Sequence, residues 1–256
     1  MCSICGCEHG VDHFHVSSAH APLAHAREVT VMDALLRDND RQAAHNRQHF
    51  DMAGVLVVNL MSSPGSGKTS LLEATIGALK GHSSVAVIEG DLQTDNDARR
   101  IRASGAPAVQ ITTGNACHLD ANMVHVALHQ IDIAPIDILF IENVGNLVCP
   151  ACFDLGQHRN VVLLSVTEGD DKPEKYPVMF HAADLVIVTK LDLIEAVGDF
   201  RLDAAERHLR SLATEAPMLA LSARSGVGIG AWTDWLIAEH AARGPLHEKH
   251  PHAAHV

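Results

Sequence analysis

Two features are scarce in this chain: basic side chains and long apolar runs. Lysine and arginine number 19 against 31 aspartates and glutamates, for a formal net charge of -12. This excess of negative charge disfavours attraction to a phosphate backbone, so no nucleic-acid partner is expected. No continuous run of about 18 apolar residues is present, and no apolar signal segment precedes the first residues. We therefore expect a soluble, cytoplasmic protein with no membrane partner.

Cysteine is unevenly placed, because three of the six cysteines, Cys2, Cys5 and Cys7, fall within the first seven residues. Thiolates packed this closely at a chain terminus chelate a soft metal readily. Together with a freed amine of Cys2 they could form a square-planar site for Ni²⁺ or Cu²⁺. Zinc fits the same thiolates, so the seven residues alone leave nickel and zinc open. A structural disulfide is disfavoured in a cytosolic chain, and a redox Cys-x-x-Cys needs a strand that cannot fit before residue 2.

Histidine is abundant, with 19 residues concentrated towards the two ends of the chain. Such tracts are typical of metal-binding tails. Each histidine taken singly is more simply explained as a neutral imidazole that solvates a chain end. The clustered histidines are His9, His13, His15, His20, His25, His247, His250, His252 and His255.

The chain divides into an arm, one domain and a tail. Residues 1–26 lack helical or strand periodicity, which indicates a flexible Cys/His metal-binding arm. Residues 27–243 have the length and apolar content of one domain and open with a predicted helix from about Val29 to Asp51. Residues 244–256 form a His-rich tail.

Within the domain, short β-branched runs alternate with longer helical segments. This pattern predicts an α/β fold, a doubly wound and mostly parallel sheet with helices on both faces. The predicted strands are Val55–Met61, Val85–Glu89, Val109–Thr113, Ile138–Glu142, Val161–Val166, Leu185–Thr189 and Met218–Ser222. The predicted helices are Lys68–Lys80, Leu119–His129, Leu202–Thr214 and Gly230–Arg243.

A glycine-rich loop follows the first predicted strand, where residues 62–70 read Ser-Ser-Pro-Gly-Ser-Gly-Lys-Thr-Ser. A strand, this loop and a helix in succession predict a P-loop, whose backbone N–H groups close on phosphate oxygens. Lys68 would place its charge on the β- and γ-phosphates, and the Thr69 hydroxyl would ligate Mg²⁺. The one departure is Ser62, which stands where the first glycine is usual. The predicted binding residues are Gly65, Ser66, Gly67, Lys68, Thr69 and Ser70.

Two acidic residues end later strands of the predicted sheet. Asp91 closes the second strand in Glu-Gly-Asp and is placed to hold Mg²⁺ directly or through water. Glu142, in Glu-Asn-Val-Gly, stands where GTPases carry the γ-phosphate-sensing Asp-x-x-Gly, which also makes Gly145 a nucleotide contact. We take Lys68, Asp91 and Glu142 as the candidate catalytic residues.

The nucleotide base is predicted from residues 189–192, Thr-Lys-Leu-Asp, which resemble the guanine motif Asn-Lys-x-Asp. The carboxylate of Asp192 can accept from both N1–H and the 2-amino group of guanine, a donor pair that adenine lacks. Lys190 would lay its stem over the ring. Ser222 and Ala223 close the last predicted strand, where backbone N–H groups reach guanine O6. GTP is therefore favoured over ATP.

A second candidate metal group lies beyond the ends of two strands. Cys117 and His118 precede a predicted helix, and Cys149 follows Glu142 by seven residues. In a doubly wound sheet both segments emerge at the ligand-binding edge. Three soft ligands are one short of a closed tetrahedral site, which a second subunit or a water could complete. Buried core cysteines and a histidine held by a core hydrogen bond are the alternatives.

Together these motifs resemble the HypB family of hydrogenase nickel-incorporation GTPases, P-loop GTPases of the SIMIBI class. The resemblance covers residues 27–243 and the first seven residues. It is carried by the motifs Cys-x-x-Cys-Gly-Cys, Ser-Ser-Pro-Gly-Ser-Gly-Lys-Thr, Glu-Gly-Asp, Cys-His-Leu-Asp, Glu-Asn-Val-Gly-Asn-Leu-Val-Cys-Pro and Gly-Asp-Asp-Lys-Pro, which occur in the family's order.

The resemblance implies a nickel metallochaperone that hydrolyses GTP slowly, with GTP, Mg²⁺, Ni²⁺ and Zn²⁺ as its ligands. It implies a GTP-dependent homodimer that delivers nickel to the [NiFe]-hydrogenase large subunit together with a small zinc-containing partner. The implied metal sites are a high-affinity nickel site of Cys2, Cys5 and Cys7, and a weaker nickel or zinc site of Cys117, His118 and Cys149 at the dimer interface.

Two positions depart from the family pattern, Thr189 in place of asparagine and the additional thiol Cys152, which could replace a water as a ligand of the second metal site. Other functions also fit part of the sequence. A urease-accessory GTPase typically has a Cys-Pro-His motif that is absent here, and a cobalamin-enzyme chaperone leaves the terminal cysteines unexplained. A nickel or zinc storage protein with a vestigial nucleotide fold conflicts with the intact phosphate and base motifs.

Overall fold

One parallel sheet organises the molecule. The computed structural model describes residues 21–93, 95–114 and 116–244, with side chains from residue 34 onward. Its seven strands have the spatial order β3-β2-β4-β1-β5-β6-β7, and every neighbouring pair is parallel. The strands are β1 (Leu56–Ser62), β2 (Val85–Asp91), β3 (Ala108–Thr112), β4 (Ile138–Glu142), β5 (Arg159–Ser165), β6 (Leu185–Thr189) and β7 (Met218–Ala220).

Helices cover both faces of this sheet. Among the described residues, none of the helices is both long and apolar enough to cross a membrane. The helices are α1 (Ala21–Ala53), α2 (Lys68–Leu79), α3 (Asn96–Ala103), α4 (Ala121–Leu128), α5 (Lys172–Lys175), α6 (Pro177–His181), α7 (Ile194–Val197), α8 (Leu202–Ser211) and α9 (Ile229–Ala242). One-turn 3₁₀ helices lie at Cys149–Cys152, Val166–Glu168 and Leu191–Leu193.

The core has two layers because successive strand residues point to opposite faces. Val58 of β1 packs with side chains of α2 and α9, including the fully buried Trp232. Its neighbour Val57 packs on the other face with Phe50 of α1 and Val124 of α4. Both faces are apolar, as expected for a buried parallel sheet. The predicted doubly wound α/β fold is therefore confirmed.

Helix α1 is fixed against the start of α4 by two buried asparagines. Asn39 Oδ1 accepts from Ala121 N over 2.9 Å. Asn46 Nδ2 donates to Ala121 O (2.8 Å) and to Leu155 O (3.1 Å). The bond from Ala121 N satisfies a backbone group at the first turn of α4, where helix N–H groups lack intrahelical partners. These hydrogen bonds hold α1 beside the loop that precedes α4.

Some element boundaries differ from the sequence predictions. Helix α1 begins at Ala21 rather than Val29, so it extends into the segment assigned to the flexible arm; alanine-rich sequence favours this extension. Helix α4 begins after Asp120, whose Oδ1 accepts from Met123 N over 2.7 Å. Helix α3 was not predicted, because Ala98 and Ile101 are its only buried residues. The predicted metal site of Cys2, Cys5 and Cys7 lies outside the described residues, as does the tail from residue 245.

Candidate functional site

The glycine-rich loop leaves β1 and enters α2 at the centre of the sheet. Gly65 and Gly67 have φ angles of 76° and 99°, in the left-handed region that other residues disfavour. Ser62 is the last residue of β1, so a serine fits where other P-loops begin with glycine. The Nζ of Lys68 donates to the Oγ of Ser62 over 3.0 Å, and both side chains are buried. The loop therefore has the backbone of a phosphate cradle at a helix N-terminus.

Beside the loop, three carboxylates converge on the first turn of α2. Thr69 Oγ1 donates to Glu142 Oε1 over 2.9 Å. One carboxylate oxygen from each of Glu89, Asp97 and Glu142 lies within 4.8 Å of the others. Glu89 Oε2 and Glu142 Oε2 are buried without a hydrogen-bond partner. Oxygen ligands of this kind suit Mg²⁺.

Burial is the largest influence on the pKa values of Glu89 and Glu142. It raises the pKa of Glu89 to about 8 and the pKa of Glu142 to about 7. Lys68 and the hydrogen bond from Thr69 act in the opposite direction on Glu142. Burial also lowers the pKa of Lys68, although the neighbouring acids oppose that shift. A divalent cation here would replace protons as the counter-charge of the two glutamates.

These groups line one cavity of about 440 Å³. Asp91, at the end of β2, lines it as well, although the compact carboxylate group contains Glu89 and Asp97 rather than Asp91. Gly145 lies against the P-loop, since a Cβ there would come within 2.9 Å of Pro64 Cα. The segment after β4 and the P-loop therefore meet at a contact that only glycine allows. Other wall residues are Gly65, Gly67, Thr69, Ser70, Arg100, Asn143 and Lys190.

A second cavity, of about 180 Å³, continues past the P-loop towards β6 and β7. It is lined by Ser66, Ser70, Lys190, Asp192 and Ala223, among others. The Oγ of Ser222 donates to Asp192 Oδ1 over 2.6 Å and so orients that carboxylate. The backbone N–H of Ser222 donates to Val227 O, so of the two predicted guanine contacts Ala223 is the one whose N–H would face O6.

Thr189 and Lys190 join this second cavity to the P-loop. Thr189 Oγ1 donates to Ser66 O over 2.7 Å, so the threonine ties β6 to the loop in place of the usual asparagine. Lys190 has a left-handed backbone, φ 58°, and its Nζ donates to Gly65 O over 2.7 Å. The side chain thus lies across the entrance between the two cavities.

The three predicted soft ligands lie together. Cys117 Sγ is 3.0 Å from Cys149 Sγ and 3.8 Å from His118 Nδ1. The His118 ring stacks on Phe153 with centroids 3.9 Å apart. Burial lowers the pKa of His118, which favours the neutral imidazole that binds metals. Cys152 is exposed, with its thiol facing Val148 O, and is not part of this group.

A short segment connects the carboxylate group to the thiols. It runs from Glu142, at the end of β4, to the 3₁₀ helix that starts at Cys149. Asn143 Oδ1 accepts from Leu119 N (3.2 Å), and Asn146 Nδ2 donates to Cys117 O (3.4 Å). The loop carrying Cys117 and His118 is therefore hydrogen-bonded to the segment that leaves the nucleotide cavity.

Comparison with known proteins places this geometry in a family. The family model described as "CobW/HypB/UreG, nucleotide-binding domain" matches residues 56–220. Hydrogenase maturation factor HypB of Azotobacter chroococcum mcd 1 is 53% identical over 226 residues, 88% of this chain and 74% of the relative. HypB from Helicobacter pylori in complex with nickel is 42% identical, with a TM-score of 0.77 over 80% of this chain and 96% of that chain.

A second solved structure gives the same result. Hydrogenase maturation factor HypB from Archaeoglobus fulgidus is 38% identical, with a TM-score of 0.74 over 80% of this chain and all of that chain. Sequence identity, coverage and fold thus agree along the nucleotide-binding domain. The chain belongs to the HypB family of hydrogenase maturation factors, within the CobW/HypB/UreG nucleotide-binding proteins.

Proposed function

We propose that this protein is a GTP-hydrolysing nickel metallochaperone that delivers nickel during [NiFe]-hydrogenase maturation. The observation that carries the proposal is the short connection between two sites. Glu142 contacts the P-loop helix through Thr69, and Cys149, seven residues later, contacts Cys117. A change at the γ-phosphate would therefore move a thiol of the nickel site.

The P-loop side supports phosphate binding and hydrolysis. Backbone N–H groups at the start of α2 would cradle the phosphates, and Lys68 would leave Ser62 to neutralise the β- and γ-oxygens. Mg²⁺ would be held by Thr69 and the carboxylate group around Glu142, with Asp91 on the cavity wall reaching it directly or through water, and would offset the negative charge of the phosphates. Glu142, Lys68 and Asp91 are the catalytic residues in this proposal.

Guanine recognition is supported by the second cavity. The hydroxyl of Ser222 holds one oxygen of Asp192, which leaves the carboxylate oriented to accept from N1–H and the 2-amino group. Adenine has no such pair of donors at those positions. The stem of Lys190 lies at the cavity entrance, where it would cover the flat face of the base.

Nickel binding is supported by the thiol and imidazole donors. Cys117, His118 and Cys149 give three soft ligands, and the similar Helicobacter pylori protein was crystallised as a complex with nickel. The fourth ligand would come from water or from a second subunit, so a GTP-dependent homodimer would close the site. The site would hold zinc as well. Cys2, Cys5 and Cys7 would form the separate high-affinity nickel site.

The partners follow from this delivery role. Nickel would pass in the cytoplasm to the precursor of the hydrogenase large subunit, with the help of a small zinc-containing insertion protein. Because the metal site is coupled to the nucleotide cavity, hydrolysis of GTP would set the moment of release.

A reconstituted transfer assay tests the proposal. Full-length protein loaded with Ni²⁺ is mixed with the insertion partner, the apo large-subunit precursor and either GTP or GDP. We expect nickel to reach the precursor faster with GTP, and we expect Lys68→Ala to abolish that advantage. Equal transfer with GTP, GDP and the Lys68→Ala variant would contradict the proposal.

A further inference from the structure

Four histidines meet on the surface where α1 packs against α4, and none of them belongs to the sites described above. We call His45, His49, His125 and His129 the histidine cluster. The ring centroid of His45 is 4.5 Å from that of His49 and 5.2 Å from that of His125. The ring centroids of His125 and His129 are 4.9 Å apart. Imidazoles from two helices are therefore interleaved at one place.

Two of these rings already have the spacing of a chelate. His45 and His49 lie one turn apart on α1, and their Nε2 atoms are 3.2 Å apart. Two nitrogens that share a tetrahedral metal ion at about 2.0–2.1 Å are roughly 3.3 Å apart. Helical residues at i and i+4 share one face, as in metal-binding helices.

A rotation of its ring would make His125, on the opposite helix, the third donor. Its Nδ1 is buried and has no hydrogen-bond partner. The centroids of the His125 and His49 rings are 6.1 Å apart, so a rotation of the His125 ring would bring a nitrogen towards the pair. His129, at the end of α4, is next along the row and would serve as a fourth ligand, as would water.

The protonation of the cluster also suits metal binding. Burial, and then the proximity of His129, His45 and His49, lowers the pKa of His125. Neutral imidazole is the form that ligates metals.

We propose that the histidine cluster binds a divalent late first-row transition metal ion, such as Ni²⁺, Zn²⁺ or Cu²⁺, through His45, His49 and His125. All-imidazole ligation suits these ions and not Mg²⁺ or Ca²⁺. The site would clamp α1 to α4, and α4 directly follows the loop that carries Cys117 and His118. It is independent of the GTP-dependent delivery proposed above.

A metal titration of the full-length chain tests this site. Ni²⁺ bound per chain is counted by equilibrium dialysis for the wild type, for H45Q/H49Q and for the control H82Q/H181Q, which removes two exposed histidines outside the cluster. We expect H45Q/H49Q to bind one Ni²⁺ fewer than the other two proteins. Equal binding by all three would overturn the proposal.

A second measurement needs no variant and so does not depend on correct folding of H45Q/H49Q. The wild-type chain is treated with diethyl pyrocarbonate with and without Ni²⁺, and labelling of each histidine is read by peptide mass spectrometry. We expect Ni²⁺ to protect His45 and His49 several-fold while His82 stays reactive. Unchanged labelling of the pair would overturn the proposal.

Discussion

The hydroxyl of Thr69 donates a 2.9 Å hydrogen bond to the carboxylate of Glu142. This bond joins the first turn of α2 to the end of β4, two elements brought together because β1 and β4 are neighbours in the sheet. It sits at one end of the segment that leads to Cys149. The contact of Gly145 with Pro64 supports the same segment three residues later.

We expect Glu142→Gln to slow GTP hydrolysis by about 100-fold, because the charged carboxylate at the phosphate site is lost. Glutamine can still accept from Thr69, so the fold and GTP binding should persist. Phosphate release and binding of a fluorescent GTP derivative measure the two effects. Glu195→Gln, an exposed change elsewhere, is the control and should keep the wild-type rate. A wild-type rate in Glu142→Gln would remove this residue from the mechanism.

We expect Asp192→Asn to change the base preference from guanine to xanthine. An amide offers a donor to the C2 carbonyl of xanthine and cannot accept from both guanine donors. Competition binding should show GTP weakened by roughly 100-fold and xanthosine triphosphate strengthened. If GTP affinity were unchanged, Asp192 would not read the base.

We expect Cys117→Ser to remove one Ni²⁺ from the full-length chain. The hydroxyl of serine is a much poorer ligand for this ion than a thiolate. Cys152→Ser is the matched control, because Cys152 lies nearby but outside the ligand group. Metal counting after dialysis should give a loss for Cys117→Ser alone. A similar loss in both variants, or in neither, would argue against this ligand set.

The buried side chain of His158 leads us to predict how the free energy of unfolding depends on pH. Val57 N donates to His158 Nδ1 over 2.8 Å, and burial lowers the pKa of His158 to about 4 from 6.5. Unfolded chains therefore bind more protons between these values, so the free energy of unfolding should fall as pH drops from 6.5 to 4. The full shift corresponds to roughly 3 kcal/mol as an upper bound.

Urea unfolding at a series of pH values measures this dependence. His158→Asn places an oxygen where Nδ1 accepts and does not titrate in this range, so its profile should be flatter between pH 6.5 and 4. His82→Gln, at an exposed position, should keep the wild-type profile. Identical profiles for His158→Asn and the wild type would contradict the assignment.

Periodicity and strand order explain how much could be predicted from sequence. All seven strands were predicted because buried β-branched runs are distinctive, and the proximity of Cys117 and Cys149 followed from parallel strands that end at one edge. Asp97 had no such signal, since it lies on a short polar helix with two buried residues. Glu89 was visible in the Glu-Gly-Asp motif, but its burial and its contact with Glu142 depend on tertiary packing.

The histidine cluster also could not be predicted from the sequence. His45 and His49 have helical spacing in the sequence, but nothing there indicates that His125 packs against them. That contact exists because Asn39 and Asn46 fix α1 across the start of α4. Polar contacts between distant segments determine such sites, and periodicity does not encode them.

The most direct test is the affinity of the full-length chain for Ni²⁺ with GDP and with a non-hydrolysable GTP analogue, measured by competition with a chromophoric chelator. Coupling between the γ-phosphate and Cys149 predicts that the two affinities differ by at least about fivefold, and that Cys117→Ser removes the difference. Equal nickel affinities in the two nucleotide states of the wild type would contradict GTP-gated delivery.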